Sequence, residues 1–568
     1  MKAAQLLDKY FETAFTAPDG IKRLRELILT LAMQGKLVPQ DPNDQPAREL
    51  LKEIEAEKKR LIKEEGLKTK AKEKINSYEE YMVKPPSWQF CRLGNLAKFI
   101  DYRGKTPKKV GKGITLITAK NVRFGFINKE PYEYITEEEF DIWMTRGFPK
   151  VGDLLFTTEA PLGNIAIIDI QERFALAQRV ICFQLHKLEI ATFLRWFIMS
   201  NIFRKQLIEN ATGMTAKGIR ASRLKEIPIP IPPLEEQRRI VEKVNHLMEQ
   251  VDRLEKLQGE RDRKRLIIHK AASDRLLNAP DKNSFNQAWS FIQKNFNELY
   301  SVKENISELR KAILQLAVMG KLVPQDPNDP PASELLKEIE VEKKRLIQEK
   351  KIKKSKPLPE IKPYETPYDL PKSWEWTKLN NLLIFGPTNG FSPKAVEYET
   401  PVRSLTLSAT TSGQFKGEYS KFIDCEIPLD SDLWLRDRDI LIQRGNTLEY
   451  VGVSAIYRGN SNCYIYPDLM MKIRVSPKLD TEYINLSMSS KKCRDFLRDR
   501  ASGTSGTMPK INQKTLISLP IPIPPLPEQH RIVAKVNQLM AMCDLLEEKS
   551  TKQTEKQSKL LQAVLAKI

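Results

Sequence analysis

The chain of 568 residues reads as α/β: two α/β cores separated by long helices that pair as an antiparallel coiled coil, giving an internal pseudo-two-fold symmetry. Three observations predict this. The chain repeats itself: residues 35–62 match 320–347 at 25 of 28 positions, offset 285, and 227–245 match 519–537 at 15 of 19, offset 292. Self-similarity at a fixed offset marks duplicated architecture. Between the repeats lie two dissimilar stretches, 85–225 and 371–519, that mix apolar runs of strand length with helical patterns. After the second repeat of each half, apolar residues step by 4, 3, 4 and 3: Ile240, Val244, Leu247, Val251 and Leu254, then Ile532, Val536, Leu539, Cys543 and Leu546. Two matching heptad seams suggest helices packed on each other. The alternative is that each seam covers its own neighbouring core.

The elements follow in order. Ile21, Leu24, Ile28 and Leu31 share one helix face, and Gly35 ends that helix. Ile306, Leu309, Ile313 and Leu316 before Gly320 repeat the design. Pro-Gln-Asp-Pro-Asn-Asp is a connector, and Glu49 to Lys63 is a charged helix with Glu-to-Lys pairs at four-residue spacing. Both cores open on a tryptophan, Trp88 or Trp374, and both contain a strand-like run headed by an acid, Asp153 or Asp439. Ile165 to Ile168 and Val180 to Leu185 read as strands, and Ala191 to Leu207 as one helix. The Ile-Pro alternations at 227 and 519 fix an extended path that is neither helix nor central strand. Proline and acids at Pro233 and Pro525 then start the long helices. The boundaries are an N-terminal helical arm (1–84), a first core (85–226), a central helical spacer (227–370), a second core (371–519) and a C-terminal helix (520–568).

Charge points to the partner. Lys and Arg number 93 against 73 Asp and Glu, a net +20, which suits an anionic partner, nucleic acid first. The first core carries about +9 and the second about +4. With no secretory leader, no apolar run of spanning length and six scattered cysteines, a cytoplasmic protein with free thiols is expected. No cofactor or metal is expected: no Cys-x-x-Cys pair or His cluster occurs, and no Gly-x-Gly-x-x-Gly follows a strand. Gly104-Lys105-Thr106 lacks the glycine a phosphate loop needs five residues earlier, and Asp329-Pro330-Pro331-Ala332 lacks the aromatic of an adenine methyltransferase loop. No catalytic constellation is evident.

The cores do offer polar and basic loops suited to phosphates and base edges. In the first, the candidates are Arg103, Lys105, Thr106, Lys108, Lys109, Lys120, Asn121, Arg123, Gln178, Arg179, Lys217 and Arg220. In the second they are Asn389, Ser392, Lys394, Gln443, Arg444, Asn446, Arg458, Lys510 and Asn512.

With these motifs, the chain resembles the specificity subunit of type I restriction-modification enzymes. Pro-Leu-x-Glu-Gln-x-Arg-Ile-Val-x-Lys-Val-Asn at Pro233 and Pro525, Gly-Lys-Leu-Val-Pro-Gln-Asp-Pro at Gly35 and Gly320, and the duplicated order of arm, variable core and arm carry the resemblance. Residues 101–107, 152–163 and 177–179 resemble one class of target recognition domain, and 439–446 another. The resemblance implies that each core reads one half of a bipartite, asymmetric site in double-stranded DNA. It implies that the shared helices set the spacing and dock two modification (methyltransferase) subunits and two restriction (translocase and nuclease) subunits, and that this chain is not itself an enzyme. A pure coiled-coil tether leaves two different cores unexplained; an enzyme needs motifs that are missing. Arg179 and Asn121 are expected to contribute to specific binding.

Overall fold

The computed structural model describes residues 17, 19–64, 81–102, 106–213, 217–352, 358–362, 365–503 and 508–565. The chain divides into two compact units. One comprises the described residues of 1–260 and 553–568, the other those of 261–552.

In the first unit, four antiparallel strands run in the order Ala97–Asp101, Val180–Leu185, Leu154–Thr157, Ile165–Ile167. The strands of a three-stranded sheet, Tyr134–Ile135, Ile114–Ile117 and Phe174–Leu176, are interleaved with these in sequence. The second unit repeats the four-stranded order with Leu383–Asn389, Met470–Val475, Ile440–Gln443 and Ser454–Ile456, but its other sheet has four strands. The expected helix 191–207 is broken: Ala191–Met199 stops, and the Ser200 hydroxyl accepts the Phe203 N–H to cap a new helix, Asn201–Asn210. Each Ile-Pro run is one strand of a two-stranded ribbon, Pro228–Ile231 against Gln89–Arg92 and Pro520–Ile523 against Glu375–Lys378. Prolines are tolerated there because an edge strand leaves alternate N–H positions outside the ladder.

The repeated segments meet in one joint, made twice. The Trp88 indole donates to Glu236 at 2.9 Å, Gln40 donates to the same carboxylate at 2.6 Å, and Arg239 clasps Asp44 at 2.7 Å. In the second unit Trp374 and Gln325 each donate to Glu528 at 2.9 Å, and Arg531 holds Asp329 at 2.6 Å. Gly35 and Gly320 sit at φ +68 and +67, where a Cβ would lie 2.3 Å and 2.5 Å from the rings of Pro85 and Pro371. Burial raises the pKa of both glutamates, against the pull of these donors. Near-identity of the two arms is thus a requirement of one interlocked contact between arm, core entry and long-helix start. A second clamp repeats as well: Arg25 to Asp252 and Glu255, and Arg310 to Asp544 and Glu547.

The long helices are Leu234–Leu277 and Leu526–Leu565. Each unit takes the beginning of one and the end of the other. Ile240, Val244 and Val251 are buried in the first unit's core with Ile21, Leu24, Ile28 and also Leu561, Leu247 packs at its margin, and Leu254 is 37% exposed. Ile532, Val536 and Cys543 are buried in the second unit's core with Ile306, Ile313 and Leu276, flanked by Leu539 and Leu546. Each heptad seam thus shares its core with the amphipathic arm helix of its unit, Gly20–Met33 or Lys303–Val318, and with the end of the other long helix.

Candidate nucleic-acid interface

The register of each four-stranded sheet gathers the candidate loops at one end. In the first unit Asp101 pairs with Ile181, Thr157 with Val180 and Phe156 with Ile165. The segment after Asp101, the turn 158–164 and the residues before Val180 therefore share that end. The bridged pair Thr212 and Gly218 joins them through a bridge from Glu159 to Gly218 and an Ile219 N–H bond to the Thr158 carbonyl at 3.1 Å. The second unit does the same: Asn389 pairs with Met471 and Gln443 with Met470, and the bridged pair Ser502 and Lys510 is tied on by Gly445 to Lys510 and by Ile511 N–H to Arg444 O at 2.9 Å. By register Thr157 corresponds to Gln443, Arg179 to Leu469 and Arg220 to Asn512.

Several candidates stand at these ends with side chains in solvent. In the first unit Thr106 accepts from Gln178 at 2.8 Å, and Arg179 is ion-paired with Glu159 at 2.7 Å with both about half exposed. Lys108, Lys120, Lys217 and Arg220 are exposed, and Arg123 is partly buried on a neighbouring hairpin. Arg103 and Lys105 lie outside the described residues. In the second unit Asn389, Lys394 and Lys510 are exposed, Ser392 donates to Asp468 at 2.5 Å, and Arg444 is partly buried. Asn512 is exposed and caps the helix Gln513–Ile517 by accepting the Thr515 N–H at 2.8 Å.

Other candidates are corrected. Asn121 is 1% exposed. Its oxygen accepts from Thr118 and its amide nitrogen donates to the carbonyls of Asn128, Lys129 and Pro131 at 3.0–3.3 Å, so it closes a loop and has no edge left for a base. Gln443 is fully buried, donating to Leu407 O and to the hydroxyls of Thr410 and Thr411, and accepting from Asn446 at 2.7 Å. Asn446 is thereby committed too, its oxygen accepting the Thr447 N–H. Arg458 follows the strand Ser454–Ile456 at the opposite end of the sheet and pairs with Glu482 at 2.5 Å. Lys109 pairs with Glu133 at 2.6 Å but, like Arg179, stays about half exposed and remains a candidate. Amides look the same in sequence whether they read bases or close loops; burial separates them.

The acid heading each core strand is a residue whose role the sequence did not disclose. Asp153 accepts the Lys150 N–H at 2.8 Å and faces Cys182 and Gln184. At the same register Asp439 accepts from Arg436 N–H and Arg474, with Lys472 Nζ 3.7 Å away. Lys472 is 1% exposed and donates to the carbonyls of Asp432 and Trp434 at 2.6 and 2.7 Å. Burial lowers its pKa to about 8 and raises that of Asp439. The pairing of run and acid in 153–156 and 439–442 was the available signal.

Among the described residues no group of acids, histidines and cysteines could hold a metal ion, and no helix is long and apolar enough to cross a membrane. The profile of the type I restriction modification DNA specificity domain matches residues 85–260 and 404–556. The chain is similar to the type I restriction enzyme EcoEI specificity subunit of Escherichia coli, 31% identical over 95% of this chain and 92% of that one. It is similar to the EcoAI specificity subunit of Escherichia coli, also 31% identical, over 94% and 92%. Among solved structures, the HsdS subunit from Thermoanaerobacter tengcongensis aligns over 86% of this chain and 98% of that one, with a TM-score of 0.41 and 19% identity.

Proposed function

The chain belongs to the type I restriction modification DNA specificity family, and on that premise we propose how it divides the task of reading DNA. It is the non-catalytic specificity subunit of a type I restriction-modification system, with two recognition domains. Residues 85–226 and 371–519 are those domains, and each reads one half of a bipartite site with the loop end of its four-stranded sheet. Thr106, Lys108, Lys109, Gln178, Arg179, Lys217 and Arg220 contact the first half; Asn389, Ser392, Lys394, Arg444, Lys510 and Asn512 contact the second. The arms and long helices, 1–84, 227–370 and 520–568, set the spacing and dock two modification and two restriction subunits in the cytoplasm.

One observation carries this reading: the same sheet and the same bridged pair beside it recur in both units with near-identical joints, while the side chains at the loop ends differ. Arginine and lysine there suit guanine acceptors and phosphates, and each good base contact discriminates by about 1–3 kcal/mol. The test is methylome sequencing of cells expressing the chain with its modification subunits. Replacing 371–519 by the second core of another family member should change one half of the methylated motif and leave the other intact. A change in both halves would refute independent readers, and methyl transfer by the purified chain alone would refute a non-catalytic role.

A further inference from the structure

Beside the first reading end stands a feature that base reading by the sheet loops does not use. Residues 122–127 form a tight hairpin, with Val122 bridged to Ile127 and the Arg123 N–H bonded to Phe126 O at 2.9 Å. Gly125 turns it at φ +98, and a Cβ there would meet the Met199 methyl at 3.1 Å. The hairpin is fixed to the edge strand by Gly125 N–H to Ile165 O at 2.8 Å. Asn164 couples it to the reading end: its amide donates to Val122 O at 3.0 Å and its N–H to Thr157 Oγ1 at 2.9 Å. Held this rigidly, the tip exposes two large rings, Phe124 at 46% and Phe126 at 60%. Cations flank them. Lys120 is exposed and Arg123 sits on the tip. Arg195 lies behind, stacked on Trp196 at 4.5 Å, reaching Gly125 O only at 3.5 Å and leaving its buried Nε without a hydrogen-bond partner.

Two exposed rings on a fixed turn among cations match the way apolar side chains enter DNA: a wedge unstacks a base step while basic groups hold the adjacent phosphates. We propose that Phe124 and Phe126 are a DNA wedge that inserts at a base step bordering the first half-site, with Arg123 and Lys120 on the flanking phosphates. This rests on the assignment of the sheet ends to DNA, with which the hairpin is continuous through Asn164. It adds deformability of the flanking step as a determinant of site choice, since pyrimidine–purine steps unstack most easily.

The test uses the full chain without modification subunits, so that no methyltransferase extrudes a base, and duplexes bearing its site with 2-aminopurine placed in turn at each position around the first half. The wild-type chain should raise the fluorescence several-fold at one or two bordering positions. Phe124→Ala with Phe126→Ala should return it to the level of free duplex and weaken binding about tenfold, the scale of lost aromatic–base stacking; Phe124→Trp should retain both. The wedge is overturned if the wild-type chain binds its site with no position responding, or if the double alanine variant keeps the signal. It is also overturned if that variant binds DNA normally but fails to assemble with modification subunits, which would place the rings against protein. If Arg179→Ala and Arg220→Ala leave binding unchanged while the phenylalanine variants abolish the signal, the wedge stands and the sheet-end assignment fails.

Discussion

At the joint, Trp88 and Trp374 make the same 2.9 Å bond to Glu236 and Glu528; inside the sheets, Cys182 occupies the position that Lys472 holds in the second unit. The two halves agree where helix meets core and part company within the core. The joint joins three distant segments through one buried carboxylate, so no member can change alone without leaving a polar group unpaired. The sheet needs only a strand of the right period, and one register position accepts either a thiol near an acid or a lysine that ties down the 432–434 turn.

That difference is the strongest place to press. Lys472→Met should destabilise the second unit by about 3–5 kcal/mol, because Asp439 loses a counter-charge and two buried carbonyls lose their donor. Cys182→Ala at the same register should cost the first unit only about 1 kcal/mol, an ordinary substitution. Hydrogen exchange of the two sheets measures both; equal losses would mean that Lys472 merely fills space. The joints should behave in the opposite way. Trp88→Phe and Trp374→Phe each remove one donor to a buried carboxylate, at about 1.5–3 kcal/mol, and the two costs should agree. Unequal losses in denaturant unfolding would show that one joint bears load the other does not.

Much of this was legible because repetition exposes constraint. The offsets 285 and 292 align Gln40 with Gln325 and Glu236 with Glu528, so the joint was written in the sequence, although not its bonds. The strand Val180–Leu185 was readable from its apolar run. Asn121, Gln443 and Asn446 were misleading because hydrogen-bonding capacity is a property of the residue type, while availability is a property of the fold. The seams were legible as apolar stripes. A heptad declares the stripe but not every neighbour that covers it: in each core an arm helix joins the end of the other long helix.

A smaller contrast separates the ends of the long helices. His269 corresponds, at offset 292, to Leu561. His269 is 1% exposed, with Nε2 on Asn305 O at 3.1 Å, Nδ1 near the Ser273 hydroxyl and its ring against Tyr300. Burial lowers its pKa below the ordinary 6.5, with Glu308 opposing. Between the lowered value and 6.5 the unfolded chain takes up a proton that the folded chain refuses. The second unit should therefore lose stability as pH falls below about 6.5, the ordinary histidine value. His269→Leu, which copies Leu561, should remove that component of the pH dependence in urea unfolding at pH 5.5 and 7.5, while the first unit's profile stays unchanged. An unaltered slope would assign the acid sensitivity elsewhere.

The last contrast should produce no effect at all. Leu561, four residues before the last described one, is buried in the same core as Ile21 and Leu24 of the first described helix. Leu276, near the end of the other long helix, is buried with Ile306 and Ile313 of the second unit's arm. In the second unit that helix end runs into its arm through residues 278–305. If the halves are cyclically equivalent, joining Ile568 to Met1 by a short linker and opening the chain between the long helix and the second arm should leave the site read and its spacing unchanged. Asn283 is a poor place to cut, because it lies in the helix Lys282–Lys294 just after Asp281, whose carboxylate caps Ser284 N–H at 2.8 Å. Opening at Ala279 spares that cap, and a cut at Asn283 should be less stable by about 1 kcal/mol, the usual value of such a cap. Methylation of the same motif with the same spacing by the Ala279-opened chain is the expected result. A folded permutant that methylates with altered spacing would show that the covalent link at 278–305 fixes the geometry and that the halves are equivalent in contacts alone.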